Sequence, residues 1–319
     1  MREKKINEIT SLTFGLIILM AQNFCFANTN ANSDFVVTKI TQNVYSIVSP
    51  SKGLPNPENK GWNSNVHFVV TKKGVLLIDS GSSESIGNKI KKAIKSVTKQ
   101  PIRWIINSHS HADHWFGNAA FSNTAFEIIS SNKAFKTMKN DGQPSFEFYF
   151  KVTKGKIGAT KLVYPTVLLS EGTKRNFGGI DVELIFSNNA HSPGDLLIWL
   201  PKQKIIIGGD VLSSDWMPMI TEHGNIPSLI SILNTVIKLN PDIVLTGHGK
   251  PTNLESVIRD AKLLSSVWEQ VKSDYKKGKK TNETLETVKT KLGPKYKLLY
   301  KDFNSEIERH INLMYKLQQ

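Results

Sequence analysis

The sequence predicts an α/β fold in which two β-sheets pack face to face and helices cover their outer surfaces. Short runs of β-branched and apolar residues are broken by turn residues, which is typical of strands. Strands followed by a helix run to about residue 165, and the same order is loosely repeated to about residue 250. No Gly/Ser linker divides the two halves, so we expect one body in which each sheet covers the other.

The first half begins with strands and continues into a helix. The runs FVVTKIT, VYSIVS, VHFVVT and VLLIDS predict an antiparallel sheet, and TKKG between the last two predicts a hairpin turn. Ile86 and Ile90 recur at helical spacing, with Ser82 or Ser83 available as the cap. The apolar run IRWIIN predicts a fully buried strand. Residues 130–160 predict two short helices, separated at NDGQP, that form an insert.

The second half repeats this pattern and ends in helices. VELIFS, DLLIWL, KIIIGG and DIVLTG predict strands. Between the last two, GNIPSLISILNTVIKLNP predicts a helix with Asn225 as its cap and Pro227 in its first turn. Amphipathic stripes that begin at Leu254 and Phe303 predict further helices packed on the body. We therefore assign residues 35–250 to the main domain and residues 251–319 to a C-terminal helical extension.

The amino terminus has the composition of a secretory signal peptide. A basic start, the apolar core LTFGLIILMA and a small residue at Ala27 predict cleavage after residue 27, and residues 28–34 are expected to be disordered. A retained anchor is the alternative, but the apolar stretch is short for a membrane span. The single cysteine, Cys25, would be removed, which leaves no disulfide and no thiolate ligand. The expected location is periplasmic or secreted, without stable membrane insertion after cleavage.

The chain is strongly basic, with a formal charge of +14. Many of the lysines lie in the last third, for example in KSDYKKGKK. Such a run could bind an anionic surface, but it lacks the interleaved aromatic residues expected of a nucleic-acid groove. We therefore expect solvated helix faces and no nucleic-acid partner.

The segment NSHSHADHWFGN at residues 107–118 concentrates four potential metal ligands directly after IRWII. His109 and His111 are two positions apart in extended chain, so their side chains can face one metal ion. The turn that follows lets Asp113 and His114 reach a second point nearby. Imidazole nitrogens and carboxylate oxygens both suit Zn²⁺.

Four ligands from one loop cannot complete two tetrahedral sites, so the remaining ligands are expected at other strand ends. His191 lies in the turn NNAHSPGD, Asp210 follows IIIGG, and His248 follows IVLTG. Each lies near glycine, which permits close approach of the backbone. Singly, each is more often a turn residue than a ligand. Together, in this order after HSHADH, they form a specific pattern.

HSHADH, HSPGD, GGD and GHG in this order resemble the motifs of the metallo-β-lactamase fold superfamily, over residues 35 to about 250. The resemblance implies a four-layer αββα sandwich with the site at one edge, between the sheets. It also implies two zinc ions. The implied ligands are His109, His111 and His191 for one ion and Asp113, His114 and His248 for the other, with Asp210 bridging the two or completing the second.

The resemblance also implies a reaction. LIDSG matches the family, and its Asp79 is expected to orient the metal-binding loop. Two ions about 3.5–4 Å apart need six or more ligands from few loops, and a bridging water then loses its proton at about pH 7. The metal-bound hydroxide would attack a carbonyl carbon, oriented by Asp113, while one zinc ion polarises the carbonyl and the other stabilises the leaving atom. The implied substrate is an ester, lactone, thioester or amide.

Two positions separate the chain from the β-lactamases of this superfamily. One subclass has cysteine at the place of Asp210 and lysine three residues later, where this chain has Ser213. The other main subclass usually has serines and no aspartate there. Aspartate is the pattern of the wider hydrolase group, and His111 stands where the diiron branch has glutamate, which favours zinc. The segments around the motifs resemble exported metallohydrolases related to class B β-lactamases and found beside periplasmic quinoprotein systems.

Further residues are candidates for contact with the ligands or with substrate. The loop at residues 49–65 covers the active site in this fold, and its Trp62 is either a flap over substrate or a buried anchor. Asn225 and Asp79 are further candidates. The remaining aromatic, methionine and histidine residues of interest are expected mainly to pack or to lie at the surface: Trp216, Met217, Met219, His67, His223 and His310.

Three functions remain open at this point. The first is an exported dizinc hydrolase that acts on a small molecule. The second is a true class B β-lactamase that hydrolyses β-lactam antibiotics. The third is a non-catalytic zinc-binding accessory of a periplasmic oxidation system, which the complete ligand set argues against because binding alone requires no bridging aspartate. The sequence leaves the substrate and the oligomeric state open.

Overall fold

The computed structural model describes residues 35–50 and 53–319. The predicted signal peptide at residues 1–27 and the segment at residues 28–34 lie outside the described residues. Among the residues that are described, no helix is long and apolar enough to cross a membrane.

The larger sheet contains seven strands that are hydrogen-bonded in chain order. The first four strands pair antiparallel, and the fourth to seventh pair parallel. The parallel strands place their carboxyl ends at a common edge of the sheet. The strands are β1 (Val37–Lys39), β2 (Val44–Ile47), β3 (Val66–Thr71), β4 (Gly74–Ile78), β5 (Ile102–Ile106), β6 (Glu127–Ser131) and β7 (Val167–Leu169).

The smaller sheet contains five strands, of which two neighbours are parallel and the other pairs antiparallel. The strands are β8 (Thr173–Phe177), β9 (Ile180–Phe186), β10 (Leu196–Leu200), β11 (Ile205–Ile207) and β12 (Ile243–Leu245). In space they follow the order β12-β11-β10-β9-β8. The parallel pair is β11 and β12, and the helix between them supplies the crossover that a parallel connection requires.

Seven α-helices surround the sheets in the described ranges. They are α1 (Glu84–Val97), α2 (Ala112–Trp115), α3 (Asn132–Val152), α4 (Ile226–Leu239), α5 (Leu254–Lys276), α6 (Thr281–Tyr296) and α7 (Phe303–Lys316). Short 3₁₀ turns follow α2 and β11, at Phe116–Phe121 and Gly209–Val211.

Three apolar cores hold these elements in four layers. Between the sheets, Ile78 and Ile106 of the larger sheet pack with Ile198 of the smaller sheet. On the outer face of the larger sheet, the buried face of α1 packs on β3, β4 and β5. On the outer face of the smaller sheet, α4 and the C-terminal helices share one core with β10, β11 and β12. The predicted αββα sandwich with additional C-terminal helices is confirmed, because each sheet is apolar on both faces and must be covered on both.

Several local predictions are also confirmed. The TKKG segment forms the hairpin between β3 and β4. Ser83 caps α1 by accepting a hydrogen bond from the N–H of Ile86. Asn225 caps α4 by accepting one from the N–H of Ser228 at 2.9 Å. In each case a short polar side chain satisfies a backbone donor that the first turn leaves unpaired.

The prediction of two short helices at residues 130–160 is wrong. The chain forms the single helix α3, which contains Pro144 in its interior. Proline removes one backbone donor and usually ends or kinks a helix. Here tertiary packing outweighs that local preference, because Gly142 lies against Trp115 and Tyr164, and Tyr149 is buried one turn beyond the proline.

The prediction that IRWIIN is fully buried is wrong at Arg103 and Trp104. Arg103 of β5 is exposed and Trp104 is half-buried, whereas Ile105 and Ile106 are completely buried. Ile105 packs toward α1 and Ile106 packs between the sheets. Trp104, by contrast, is only partly buried against the core between the sheets. Strands β6, β7 and β8 were not predicted.

We predict that Asn225→Ala destabilises the protein by about 1 kcal/mol, because the first turn of α4 loses its cap. Urea unfolding measures the change. Asn234→Ala is the matched control, since Asn234 is exposed in the middle of the same helix and alanine favours helix. Equal effects of the two substitutions would contradict the assigned role.

We predict that His310 makes stability depend on pH. Burial lowers the pKa of His310 in α7 to about 3. The unfolded chain, with a pKa of about 6.5, therefore binds a proton that the folded chain does not bind, and stability is lost as the pH falls below about 6.5. When the pH is lowered from 7 to 5, the unfolding free energy of the parent should fall by about 2 kcal/mol more than that of His310→Leu.

Urea unfolding at the two pH values measures this difference. His223→Leu serves as the control, because His223 is exposed and its substitution should leave the pH dependence unchanged. A His310→Leu variant with the same pH dependence as the parent would contradict the prediction.

Candidate metal centre

Seven His and Asp side chains that are far apart in the sequence meet at one edge of the sandwich. Four of them follow β5 in the HSHADH segment. The others follow β9, β11 and β12, so all of the donors lie just beyond the carboxyl ends of strands. They form two adjacent groups, the first with His109, His111, His191 and Asp210 and the second with Asp113, His114 and His248.

In the first group, three imidazole nitrogens face one another. His111 Nδ1 lies 3.0 Å from His109 Nε2 and 3.0 Å from His191 Nε2. Two nitrogens bound to one zinc ion in tetrahedral geometry at 2.0–2.1 Å would be about 3.3 Å apart. The spacing of these nitrogens is therefore close to that of ligands of a single small cation.

Asp210 lies between the two groups. Its carboxylate lies within 3.7 Å of an imidazole nitrogen of four of the five histidines in the cluster. Oδ1 is 3.2 Å from His114 Nε2, and Oδ2 is 3.3 Å from His248 Nε2, 3.5 Å from His191 Nε2 and 3.7 Å from His109 Nε2. A carboxylate with oxygens directed to both groups matches the bridging position that the sequence implied.

The hydrogen bonds of the histidines fix which ring nitrogen faces the centre. His191 Nδ1–H donates to the carbonyl oxygen of Met219 at 2.8 Å, and His248 Nδ1–H donates to that of Asn63 at 2.8 Å. A carbonyl oxygen only accepts, so Nδ1 of each ring carries the hydrogen. Nε2 of each ring is then a lone-pair donor directed to the cluster.

Asp79 organises the HSHADH segment, as expected from the sequence. It accepts hydrogen bonds from the backbone N–H and the hydroxyl of Ser108 at 2.7 and 2.8 Å and from His114 Nδ1–H at 2.8 Å. Ser108 Oγ in turn lies 3.0 Å from His109 Nδ1. Because the hydroxyl hydrogen points to Asp79, this oxygen is free to accept from the ring of His109. One buried carboxylate therefore orients two candidate ligands.

The pKa values of the histidines in the cluster are shifted in opposite directions. Burial lowers the pKa of His109 well below its usual value, and burial together with the neighbouring His191 lowers the pKa of His111 to about 3. Both imidazoles are therefore neutral at neutral pH, as metal ligands must be.

Carboxylates dominate the other side of the cluster. Burial lowers the pKa of His114, but the charge of Asp210 and its acidic neighbours outweighs burial and raises it well above its usual value. Burial raises the pKa of Asp210, but the nearby His248 and His114 outweigh burial and lower it. This half of the cluster favours a positive charge, which a proton or a metal ion can supply.

Two buried atoms test whether the residues fit a metal ion. His114 Nε2 and Asp210 Oδ1 lie 3.2 Å apart, but neither makes a hydrogen bond of regular geometry within the described residues. Buried polar atoms are normally paired, and an unpaired one costs free energy. Both atoms face the other donors of the cluster, so a cation bound there would satisfy them. The donor set of imidazoles and carboxylates fits zinc.

Two of the predicted contacts have other roles. Trp62 is 4% exposed, stacks on Phe35 at 3.8 Å and donates from Nε1 to the carbonyl of Ser64. These contacts correspond to the alternative of a buried anchor for its loop rather than that of a flap over substrate. The side chain of Asn225 caps α4, and only its backbone supports the site, by donating to the carbonyls of Asn189 and Ala190.

In the described part of the chain, the other aromatic, methionine and histidine candidates contribute no side chain to the two groups of donors. Met217 is buried, Trp216 is half-buried and Met219 is exposed at its side chain. His67 and His310 are buried, and His223 is exposed, as predicted. Only the backbone oxygen of Met219 takes part, through its bond to His191.

Two supporting residues were missed by sequence reasoning. Tyr149 of α3 is buried, and its hydroxyl donates to Asp113 Oδ1 at 3.3 Å. Nothing in the sequence around Tyr149 signals this contact, because it depends on how α3 packs. Asp195 accepts from the backbone N–H of His191 and from both the N–H and the hydroxyl of Ser192. Its position four residues after His191, in HSPGD, was a usable signal.

Gly247 brings the loop after β12 against Asp210. A Cβ at this position would lie 2.1 Å from Asp210 Oδ1 and 2.7 Å from the carbonyl carbon of Gly209. Both distances are shorter than real contacts, and the second is to backbone. The glycine of GHG therefore makes room for the central carboxylate.

Comparison with known proteins relates this geometry to a family. The family model described as the metallo-beta-lactamase superfamily matches residues 59–248. Metallo-beta-lactamase IND-1 of Chryseobacterium indologenes is 22% identical over 208 residues, which cover 64% of this chain and 75% of that protein. Metallo-beta-lactamase type 2 of Bacillus cereus is 22% identical over 194 residues, which cover 59% of this chain and 67% of that protein.

Solved structures share the fold. A metallo-beta-lactamase from Pontibacter korlensis superposes with a TM-score of 0.59 at 20% identity, covering 72% of this chain and 98% of that one. The stereoselective inverting sec-alkylsulfatase Pisa1 from Pseudomonas sp. superposes with a TM-score of 0.60 at 15% identity, covering 77% of this chain and 44% of that one. At these identities the likeness concerns the fold alone.

We predict that Gly247→Ala weakens zinc binding by at least about 10-fold, because the added methyl group displaces Asp210 or the Gly209 backbone. Competition against a chromophoric chelator measures the affinity. Gly278→Ala is the control: its φ of +74° is also unfavourable for alanine, but nothing lies within 4 Å of the added atom. Wild-type zinc affinity in Gly247→Ala would contradict the assigned role of this close approach.

Proposed function

The chain belongs to the metallo-beta-lactamase superfamily, and we propose that it is an exported, zinc-dependent hydrolase that cleaves an ester, lactone, thioester or amide in a small molecule. The observation that carries the proposal is the convergence of seven His and Asp side chains in two adjacent groups, with the Asp210 carboxylate between them. The Asp79, Met219 and Asn63 hydrogen bonds that hold the ring orientations support it further.

We propose that the cluster holds two zinc ions. The residues that would hold them are those implied by the sequence: His109, His111 and His191 for one ion and Asp113, His114 and His248 for the other, with Asp210 bridging the two or completing the second. The neutral imidazoles of the first group and the mixed imidazole and carboxylate donors of the second give each ion a suitable set of donors. When bound, the ions would supply Lewis acidity that polarises the scissile carbonyl and lowers the pKa of water.

Asp113 is the proposed catalytic residue. Its Oδ2 lies 3.5 Å from His248 Nε2 and 3.6 Å from His114 Nε2, so this oxygen faces the centre of the cluster. Its Oδ1 accepts from the hydroxyl of Tyr149. The carboxylate is thus held at one oxygen and directed into the site at the other, where it can orient the attacking water and accept its proton.

Ser213 supports a hydrolase of the wider group over a β-lactamase. The relatives named above are metallo-beta-lactamases, but one of their subclasses has lysine three positions after the residue equivalent to Asp210. In this chain Ser213 stands there, and its hydroxyl donates to Asp260 of α5 at 2.8 Å. The side chain is therefore bound to the extension, and this position has no cation for a β-lactam carboxylate.

The proposed location and partners follow from the sequence. We propose that the chain is exported by the signal peptide at residues 1–27 and acts in the periplasm or outside the cell. A small-molecule substrate is proposed rather than a nucleic acid. Some lysines of the basic C-terminal run are engaged in ion pairs, Lys272 with Glu269 and Lys279 with Asp274, which supports solvated helix faces rather than a binding surface.

We predict that the zinc-loaded protein hydrolyses members of a panel of esters, lactones and thioesters, and that His111→Ala lowers kcat/KM by at least about 100-fold because one zinc ligand is lost. Removal of metal with a chelator should abolish turnover, and added zinc should restore it. His223→Ala, in which an exposed histidine is replaced, is the control. Metal-independent turnover, or full activity of His111→Ala, would contradict the proposal.

Nitrocefin in the same assay separates the two hydrolase alternatives. We expect its turnover to be much slower than that of the best ester or lactone. Efficient nitrocefin hydrolysis would instead identify a true class B β-lactamase. Zinc binding without turnover of any substrate in the panel would favour the accessory role.

A further inference from the structure

An irregular segment connects Asp210 to the cap of α4 and contacts His191. Residues 212–221, here called the strap, contain no helix or strand. An irregular segment of this kind costs conformational entropy to order, so its geometry depends on contacts made by other parts of the fold.

The strap holds His191 at two points. The Met219 carbonyl accepts the Nδ1–H of the imidazole at 2.8 Å, and the hydroxyl of Thr221 donates to the His191 carbonyl at 2.6 Å. The first bond sets the rotation of the ring and the tautomer that directs Nε2 to the cluster. The second fixes the backbone of the residue. Both depend on the position of the strap.

The C-terminal extension holds the strap on either side of Met219. The carboxylate of Asp302, at the start of α7, accepts the N–H of Met217 with its two oxygens at 2.9 and 3.2 Å. The guanidinium of Arg309, two turns along α7, donates to the carbonyl of Ile220. One charged side chain therefore holds the backbone two residues before Met219, and another holds it one residue after.

A second pair of contacts fixes the beginning of the strap. Ser213 Oγ donates to Asp260 Oδ2 at 2.8 Å, and Arg259 Nη2 donates to the Ser214 carbonyl at 2.9 Å. Tyr300 donates a further hydrogen bond to Asp260. Asp260 is 2% exposed, so this network is buried between α5 and the strap.

Apolar packing completes the attachment. Leu212, Met217 and Ile220 of the strap lie in the same core as Phe303 and Ile307 of α7. The contacts of the extension therefore include buried side chains as well as hydrogen bonds. The extension begins at residue 251, just beyond the end of the match to the superfamily at residue 248.

We infer that the C-terminal extension is a positioning element of the metal centre: through Asp302 and Arg309 it fixes the Met219 carbonyl that orients His191. This inference rests on the proposed function, because it assigns His191 to a bound ion. Asp302 and Arg309 touch neither the candidate ligands nor the space between them, so they are positioning residues and not catalytic ones. Their loss should loosen one ion and leave the Asp113, His114 and His248 group intact.

The test uses Co²⁺ as a spectroscopic probe. Metal-free parent, Asp302→Ala and Arg309→Gln are titrated with Co²⁺ in competition with a chromophoric chelator, and the exchangeable imidazole N–H resonances of the Co²⁺-loaded proteins are recorded by proton NMR. Asp302→Asn is the conservative variant, because its amide oxygen still accepts from Met217. Arg175→Gln is the matched control, since Arg175 makes a 2.7 Å ion pair with Glu127 on the opposite sheet.

We expect Asp302→Ala and Arg309→Gln to lower the affinity of one of two Co²⁺-binding steps by about 10-fold. One imidazole N–H resonance should shift or exchange faster, while Asp302→Asn and Arg175→Gln remain close to the parent. Unchanged affinity in both steps with unchanged resonances would overturn the inference. If either variant fails to fold, Arg309→Lys, which keeps the cation but shortens its reach, is measured instead. A weakened Co²⁺-binding step would support the inference, and affinity and resonances equal to those of the parent would overturn it.

The parent protein distinguishes this inference from the function on which it rests. A parent that binds no Co²⁺ would overturn the proposed function and the inference together. A parent that binds two ions, with variants that bind them equally well, would overturn the inference alone.

Discussion

The contact between the buried Asp210 carboxylate and the imidazoles around it is the interaction on which the rest of the structure depends. A carboxylate that is 6% exposed is unfavourable unless positive charge or several hydrogen-bond donors compensate for its lost hydration. Four imidazole nitrogens lie within 3.2 to 3.7 Å of its oxygens. The carboxylate therefore links its own loop to the three loops that carry these histidines, and its charge favours cations at the cluster.

Around this centre, one supporting hydrogen bond orients each of three histidine donors. Asp79 holds His114, Asn63 holds His248 and the Met219 carbonyl holds His191, in each case through the ring nitrogen that faces away from the centre. The acceptors differ in chemical type, but the consequence is the same, because each bond fixes both the tautomer and the rotation of its ring. The donors are thereby preorganised before any ion arrives.

The C-terminal helices in turn hold the segment whose Met219 carbonyl orients His191. A strap without secondary structure lies between Asp210 and α4, and α5 and α7 hold it by charged side chains at both ends. The same position, Ser213, that distinguishes the chain from one subclass of β-lactamases is used for this attachment. The attachment of the strap to the extension therefore links two features that are separate in the sequence. One is Asp210 followed by Ser213, and the other is the helical tail.

Much of the fold could be predicted from the sequence because its signals are local. The strand and helix periodicities, the caps at Ser83 and Asn225 and the hairpin at TKKG each arise within a few residues, and the structure agrees with them. The prediction failed where tertiary packing outweighed a local preference, as in α3, which continues through Pro144 because its buried face packs on the body.

For the candidate site, the sequence by itself determined which side chains are available as donors, since His and Asp next to glycine at strand ends are visible in the chain as written. Only the tertiary structure decided which of them meet and what holds them. Tyr149 contacts Asp113 because of the packing of α3, Trp62 turns inward to stack on Phe35, and Asp302 and Arg309 reach a strap about ninety residues away. Contacts between residues so distant in the chain depend on how the layers pack, and no pattern of neighbouring residues encodes that packing.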